Sequence, residues 1–317
     1  MPEIGSLQVS PSAAPHPAVV SPLASPTAPA TSLPRPARRR GRRSPLLEIV
    51  GHPTGAVGAA LVLLLIVLAA TASFVAPFDP LAQPSRRLLE PGGLHVLGTD
   101  EFGRDILSRL IFGARVSLQV GGISVGIALL LGGTLGLVSG YNSGLVDALL
   151  QRVVDVMLAF PPVILIIAIA GVLGPSLTTA MMAIGLVYAP NFARVIRGPA
   201  LSVSQEQYIE AARTVGASPV RIMVRHVLPN VAAPLIVQAT VAFSTAILYE
   251  ATLSFLGLGT QPPEPSWGTM LGSGRRYMEL VPGVAIYPGV AIMLAVLGFN
   301  LLGDAVRDAL DPRLQKV

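Results

Sequence analysis

The sequence has no cysteine and a single lysine, Lys316, among its 317 residues. The missing cysteine excludes a disulfide framework and any thiolate metal site. A nucleotide-binding loop needs a Gly-Lys-Ser/Thr ending to hold phosphates and magnesium, and Lys316 cannot supply one. Charge is scarce as well: 12% of residues are charged, where soluble domains carry about 25%. The four histidines (His16, His52, His95, His226) are scattered and no HExxH occurs, which argues against a metal site. No GxSxG elbow is present, and the serines near the apolar runs have no evident histidine and acid set, so a hydrolase is disfavoured.

Apolar residues take the vacated share. They make up 52% of the chain, with a mean hydropathy of +0.66. That composition defines an all-α integral membrane protein with several spans. Residues 1–45 are rich in Pro, Ala and Ser and read as a disordered tail. The tail closes on Arg35, Arg38, Arg39, Arg40, Arg42 and Arg43, a topological anchor rather than a nucleic-acid site.

Six apolar spans follow, at roughly 56–75, 116–138, 146–172, 177–192, 231–256 and 284–302. The first belongs with an outer loop to residues 46–112, the other five to 113–305, and 306–317 form a second tail. Ala70-Thr71-Ala72 resembles a signal-peptidase site, but the n-region exceeds fifty residues and the apolar core is too long. The first span is read as an uncleaved helix. Gly122, Gly126, Gly132, Gly136 and Gly140 give the second span small-xxx-small spacings that let helices approach closely. The third carries an i,i+3 pair, Arg152 and Asp155, and Pro161-Pro162 should kink or break it near its middle.

Six spans put both termini on one side. The basic tail, the 194–225 region, Arg307, Arg313 and Lys316 share that side. Arg86, Arg87, Arg104, Arg109 and Arg115 make the first outer loop a partial exception. The positive-inside bias therefore places both termini in the cytoplasm.

One polar interruption, residues 204–230, stands out on the same side: SQEQYIEAARTVGASPVRIMVRHVLPN. Ser204 with Gln207 fits a capping box and Gly216 a C-terminal stop. Ser218-Pro219 supplies a second N-cap and first-turn proline. Tyr208, Ala211, Ala212 and Val215 form one apolar stripe; Val220, Met223, Val224 and Val227 form another. Glu206 and Glu210 lie opposite the first stripe, and Arg221 and Arg225 lie off the second. By spacing alone this hairpin meets either an acidic protein surface or anionic lipid.

Asp147, Asp155, Glu250 and Asp304 fall in or beside apolar runs, where ionisable groups are functional candidates. Asp155 and Glu250 are candidates for the pathway or a gate, and a proton-coupled secondary transporter is one class they allow. Asp147, Asp155 and Asp304 sit toward helix ends or beside arginine, where pairing or water is enough.

Glu210-Ala211-Ala212, Gly216 and Leu228-Pro229 resemble the EAA loop of bacterial ABC-importer permeases. His226 departs from that pattern, which has an aliphatic residue there. GTDEFGRDILSRLIFGARVSL (98–118), VVDVMLAFPP (153–162), EATLSFLGLGTQPPEPSWGTML (250–271) and NLLGDAVRDALDPRL (300–314) are similar to the C-type permease subunit of dipeptide, oligopeptide and nickel importers. The resemblance covers about 45–314.

It implies a type-1 ABC importer transmembrane domain in a bacterial cytoplasmic membrane. The cargo would be a dipeptide or oligopeptide, with nickel or glutathione as alternatives. The expected partners are a second permease, two P-loop ATPases that bind ATP and Mg, an extracytoplasmic binding protein and membrane lipid. The chain itself would hold no cofactor. The resemblance also implies ATPase coupling through Glu210, Ala211, Ala212, Arg213, Gly216, Arg221, Arg225, Leu228 and Pro229. Trp267 is expected near the outer docking surface or in packing.

Overall fold

The computed structural model describes residue 49 and residues 51–83 and 85–310. The expected tail over 1–45 with its basic run, together with Arg313 and Lys316, lies outside the described residues. Regular structure among them is helical, apart from two isolated β-bridges in the loop before residue 106.

Helix α1 (Pro53–Ala70) starts on a proline whose missing N–H costs nothing there. Thr71 ends it, its hydroxyl donating to Val67 O at 2.6 Å, before the single turn α2 (Ala72–Val75). α3 (Ile106–Tyr141) is 36 residues long, about 54 Å at 1.5 Å per residue. It begins ten residues ahead of the expected 116, because Asp105 caps it by accepting from Ser108 N at 2.7 Å.

The expected third span is broken into α4 (Leu145–Leu158) and α5 (Pro162–Leu173), which meet at 86°. Pro162 opens α5 as its first residue, and Pro161 precedes it at φ −58° and ψ 126°, outside the helical region. Each piece alone is shorter than the ~30 Å hydrocarbon core. α6 (Leu177–Ser204) runs twelve residues past the expected 192, through internal Pro190 and Pro199. Two short helices, α7 (Gln207–Thr214) and α8 (Pro219–Ile222), lead through a π turn (Met223–Val227) and the turn α9 (Leu228–Asn230) into α10 (Ala232–Phe255). α11 (Trp267–Gly274) precedes α12 (Gly283–Leu310). Among the described residues, five helices are long and apolar enough to cross a membrane, and the bent pair adds a sixth if it counts as one span.

Small residues let the long helices touch. A Cβ at Gly136 would press on the Ala193 backbone, and one at Gly140 on the Ala200 side chain, so α3 and α6 approach at backbone distance. Gly58 of α1 meets Leu301 and Leu302 of α12 in the same way. Phe243 of α10 stacks on Phe299 of α12 with centroids 4.2 Å apart. Not every glycine of the expected series packs. Gly122 and Gly126 face open space.

Trp267 anchors the other end of the bundle. It is 4% exposed, its Nε1 donates to Leu110 O at 2.9 Å, and its ring fills the space where Gly113 has no side chain. It is a packing residue, almost wholly buried.

Candidate functional site

The polar segment folds as a compact hairpin joining α6 to α10. The Ser204–Gln207 capping box does not form. Ser204 still belongs to α6, and its hydroxyl donates to Leu201 O at 2.8 Å and Gly140 O at 3.3 Å. α7 opens at Glu206 without a side-chain cap. Gly216 does close it, at φ +81°, with its N–H on Arg213 O and that of Ala217 on Ala212 O. Ser218 caps α8 from Arg221 N at 3.4 Å. Pro229 has no N–H to donate and its ring crowds the preceding turn, and the ladder is shifted to π spacing just ahead of it.

The buried side consists of Ile209, Ile222 and Val227, each 0% exposed, with Ala212 and Met223 half-buried. Of the two stripes expected from spacing, only Val227 is fully buried. Tyr208, Val215, Val220 and Val224 are 46%, 83%, 65% and 56% exposed. A helix of two turns has room for apolar residues on two faces, and spacing could not tell which face α3 and α6 would cover.

The open face mixes Val215, Val220 and Val224 with Glu210, Arg221 and Arg225. Those three charged side chains have no ion-pair partner among the described residues. Ala211, Leu228 and Pro229 are exposed beside them. Arg213 points elsewhere: its guanidinium lies 4.9 Å from the Tyr141 ring centre, at the end of α3. Asn230 Nδ2 donates to the Tyr208 hydroxyl at 3.4 Å, so the two arms of the hairpin are also tied to each other.

The other ionisable candidates separate into two groups. Asp147 accepts from Arg197 Nε at 2.7 Å and Nη2 at 2.6 Å, and from Ser139. Asp155 accepts from Arg194 at 2.9 Å instead of pairing with Arg152 in its own helix. The two arginines were expected beyond the fourth span; they lie inside α6 and hold α4 against it. Asp304 is exposed. Glu250 is 0% exposed. Its Oε1 accepts from Ser254 at 2.6 Å and Thr260 at 3.1 Å, while Oε2 has no hydrogen bond among the described residues.

At the opposite end of α3, sequence reasoning missed a network. Ser85 Oγ lies 2.6 Å from His95 Nε2, and His95 Nδ1 lies 2.9 Å from Asp105 Oδ1. Asp100 meets Arg104 at 2.7 Å and Arg109 at 3.4 Å. The histidine and acid set that the sequence hid is therefore present within twenty-one residues, with His95 and Asp105 each held in a β-bridge. His95 is 5% exposed; the network knits the 76–105 loop to the cap of α3. No group of three or more His, Asp or Glu side chains that could hold a metal ion occurs among the described residues.

The bundle superposes on a chain of a methionine ABC transporter solved in inward-facing conformations. The TM-score is 0.52 at 22% identity, covering 64% of this chain and 97% of that one. The fold is thus that of an ABC transporter's membrane bundle. Residues 132–316 match the family described as binding-protein-dependent transport system inner membrane component, and the chain belongs to that family. It is 50% identical to the dipeptide transport system permease protein DppC of Alkalihalophilus pseudofirmus over 232 residues, 73% of this chain and 76% of the relative. It is 48% identical to the di/tripeptide permease DppC of Pseudomonas aeruginosa, over 86% and 93% of the two chains. The glutathione permease GsiD of Pectobacterium atrosepticum is 44% identical over 80% and 85%. The chain is an inner-membrane permease subunit of a transport system, and ATP hydrolysis is not its chemistry.

Proposed function

We propose that this chain forms one half of the translocation pathway of an ATP-driven peptide importer and takes its stroke through the 204–230 hairpin. The observation that carries this is the open face of the hairpin. Val215, Val220 and Val224, 83%, 65% and 56% exposed, stand among unpaired Glu210, Arg221 and Arg225. Such a mixture suits a protein groove with a polar rim better than lipid acyl chains. The peptide cargo is supported by the names of the relatives; glutathione, itself a peptide, fits the same pathway.

In this reading the hairpin end lies in the cytoplasm, as the arginine distribution favours. Two ATPase subunits bind ATP and Mg there, a second related permease completes the pathway, and a binding protein delivers cargo at the far end. Ala211, small and exposed, lets α7 seat closely. Closure of the ATPases pushes α7 and α8, and the movement passes to α6 and α10 on either side, a rigid-body two-state change. In this reading Asp155, exposed and paired with Arg194 near the α4–α5 break, follows that movement as a gating contact; its support is the ion pair alone. Glu250, fully enclosed, supports the gate by anchoring the 256–266 loop rather than by touching cargo.

The test is a Glu210→Arg permease purified with its partners. Retained assembly with lost ATP-driven uptake, or loss of the ATPases on purification, supports the assignment; normal assembly and normal uptake overturn it.

A further inference from the structure

At the end of α3 remote from the hairpin, a cavity of about 660 Å³ opens between that helix, the 76–81 segment and the Glu264–Pro265 turn. Its volume lies in the range of small-ligand sites. Arg115 stands on one wall and Asp79 and Glu264 on others, with Gln119 beside them and Phe78 and Phe112 as apolar surface. All three charged side chains are exposed.

Arg115 is held in place without being neutralised. Its Nε donates to Ala69 O at 3.2 Å, one Nη to Ser73 Oγ at 3.3 Å, and its guanidinium lies 5.3 Å from the Phe112 ring centre. No carboxylate lies within ion-pair distance of it among the described residues. A fixed cation and two carboxylates facing one cavity are complementary to a zwitterion.

A second observation concerns the same face of α3. Beyond Gln119 come Gly122 and Gly126, each facing open space, and the exposed Thr134. Gly121, Gly132 and Gly136 of this helix are packed against neighbours. Arginine and glutamine are costly in contact with lipid, so the Arg115–Gln119 part of this face suits water or cargo, while Leu130, 69% exposed, gives its deeper part an apolar surface. The cavity that suits an acyl chain is a different one, about 410 Å³, lined by leucines of α1 and α3 with Trp267.

We propose that the 660 Å³ cavity is an entry site for a short peptide in its zwitterionic form. Arg115 takes the C-terminal carboxylate, Asp79 and Glu264 take the N-terminal ammonium, and Phe78 and Phe112 flank the side chains. From there the peptide meets the Gln119–Gly122–Gly126 face. The proposal rests on the peptide-importer reading and deepens it.

The permease–ATPase complex in nanodiscs, before its binding protein is added, tests it, with saturation-transfer NMR on trialanine, its C-terminal amide and its N-acetyl form. Trialanine should bind saturably and the amide about tenfold more weakly, the scale of one charge-assisted hydrogen bond. Arg115→Ala should bring that ratio to about one, and Arg115→Lys should restore most of it. The pair Asp79→Asn with Glu264→Gln should abolish discrimination against the N-acetyl form alone. No saturable binding, equal binding of trialanine and its amide, or binding only in nanodiscs free of phosphatidylethanolamine (a lipid headgroup as occupant) overturns the site. ATPase stimulation by the loaded binding protein is read on the same samples. Normal stimulation without terminal discrimination removes the site and leaves the importer reading; absent stimulation in the unaltered complex removes the importer reading itself.

Discussion

The guanidinium of Arg213, on the hairpin, lies 4.9 Å from the ring centre of Tyr141, the last residue of the 36-residue helix α3. The hairpin therefore grips a third long helix besides α6 and α10. A cation–π contact at an exposed site contributes about 0.5–1 kcal/mol, too little to decide folding but enough to bias a two-state movement. Tyr141→Ala should leave assembly and basal ATP hydrolysis intact and raise the ATP spent per peptide imported. Tyr141→Phe should behave as the native chain. Equal stoichiometry in all three would free Arg213 for a different role.

Gly216 sits at φ +81° with nothing near the place a Cβ would take. The strain there is purely conformational, and an L-residue in that region costs about 1–2 kcal/mol. Gly216→Ala should lower the melting temperature of the complex slightly, and Gly216→Val should lower it further and weaken retention of the ATPases. Melting curves with co-purification yields check both. A valine variant that matches the native chain in both would show that the turn tolerates rearrangement.

Two glycines ten residues apart on α3 should respond oppositely. Gly136 abuts the Ala193 backbone, whereas Gly126 faces open space. Gly136→Val must push α3 off α6, an overpacking cost of about 1–3 kcal/mol, seen as lost expression or a lower melting temperature. Gly126→Ala meets no neighbour and should raise stability slightly, by the roughly 0.5–1 kcal/mol that separates alanine from glycine inside a helix. Equal effects at the two sites would contradict the α3–α6 packing.

Local chemistry made part of this legible in the sequence, and long-range contact hid the rest. Gly216 and Ser218-Pro219 were readable because a left-handed stop and an N-cap need only their nearest neighbours. Ser204 misled because the preceding helix runs on through it, its hydroxyl bonding Leu201 within that helix and Gly140, 64 residues away. Pro161-Pro162 marked the break in the third span, but not the pairing of Asp147 and Asp155 with Arg197 and Arg194, which joins α4 to another helix. Ile209 and Ile222 stayed hidden for a related reason: both faces of a short helix carried apolar residues, and only tertiary packing chose between them. The Ser85–His95–Asp105 chain required the loop to double back on itself, which no spacing announced.

Glu250 separates ATP-driven from proton-coupled transport. Its carboxyl accepts from Ser254 and Thr260 in a fully buried site. Glu250→Gln keeps an acceptor there and should preserve uptake at every pH tested. Glu250→Ala strands two hydroxyls, a cost of about 1–3 kcal/mol each when buried, and should loosen the 256–266 loop, read as faster proteolysis. Loss of uptake in the glutamine variant together with a vanished pH dependence would point to a proton relay.

The central claim is that the open face of the hairpin seats in an ATPase subunit, and the absence of native cysteine makes it directly measurable. Val220→Cys, on the open face, and Ile222→Cys, on the buried face, are each treated with a short bifunctional thiol reagent in the assembled importer whose ATPase groove carries one cysteine. The account predicts a permease–ATPase cross-link from position 220, changing in yield when ATP closes the ATPases, and none from position 222. No cross-link from 220 in a complex that still imports peptide would contradict it.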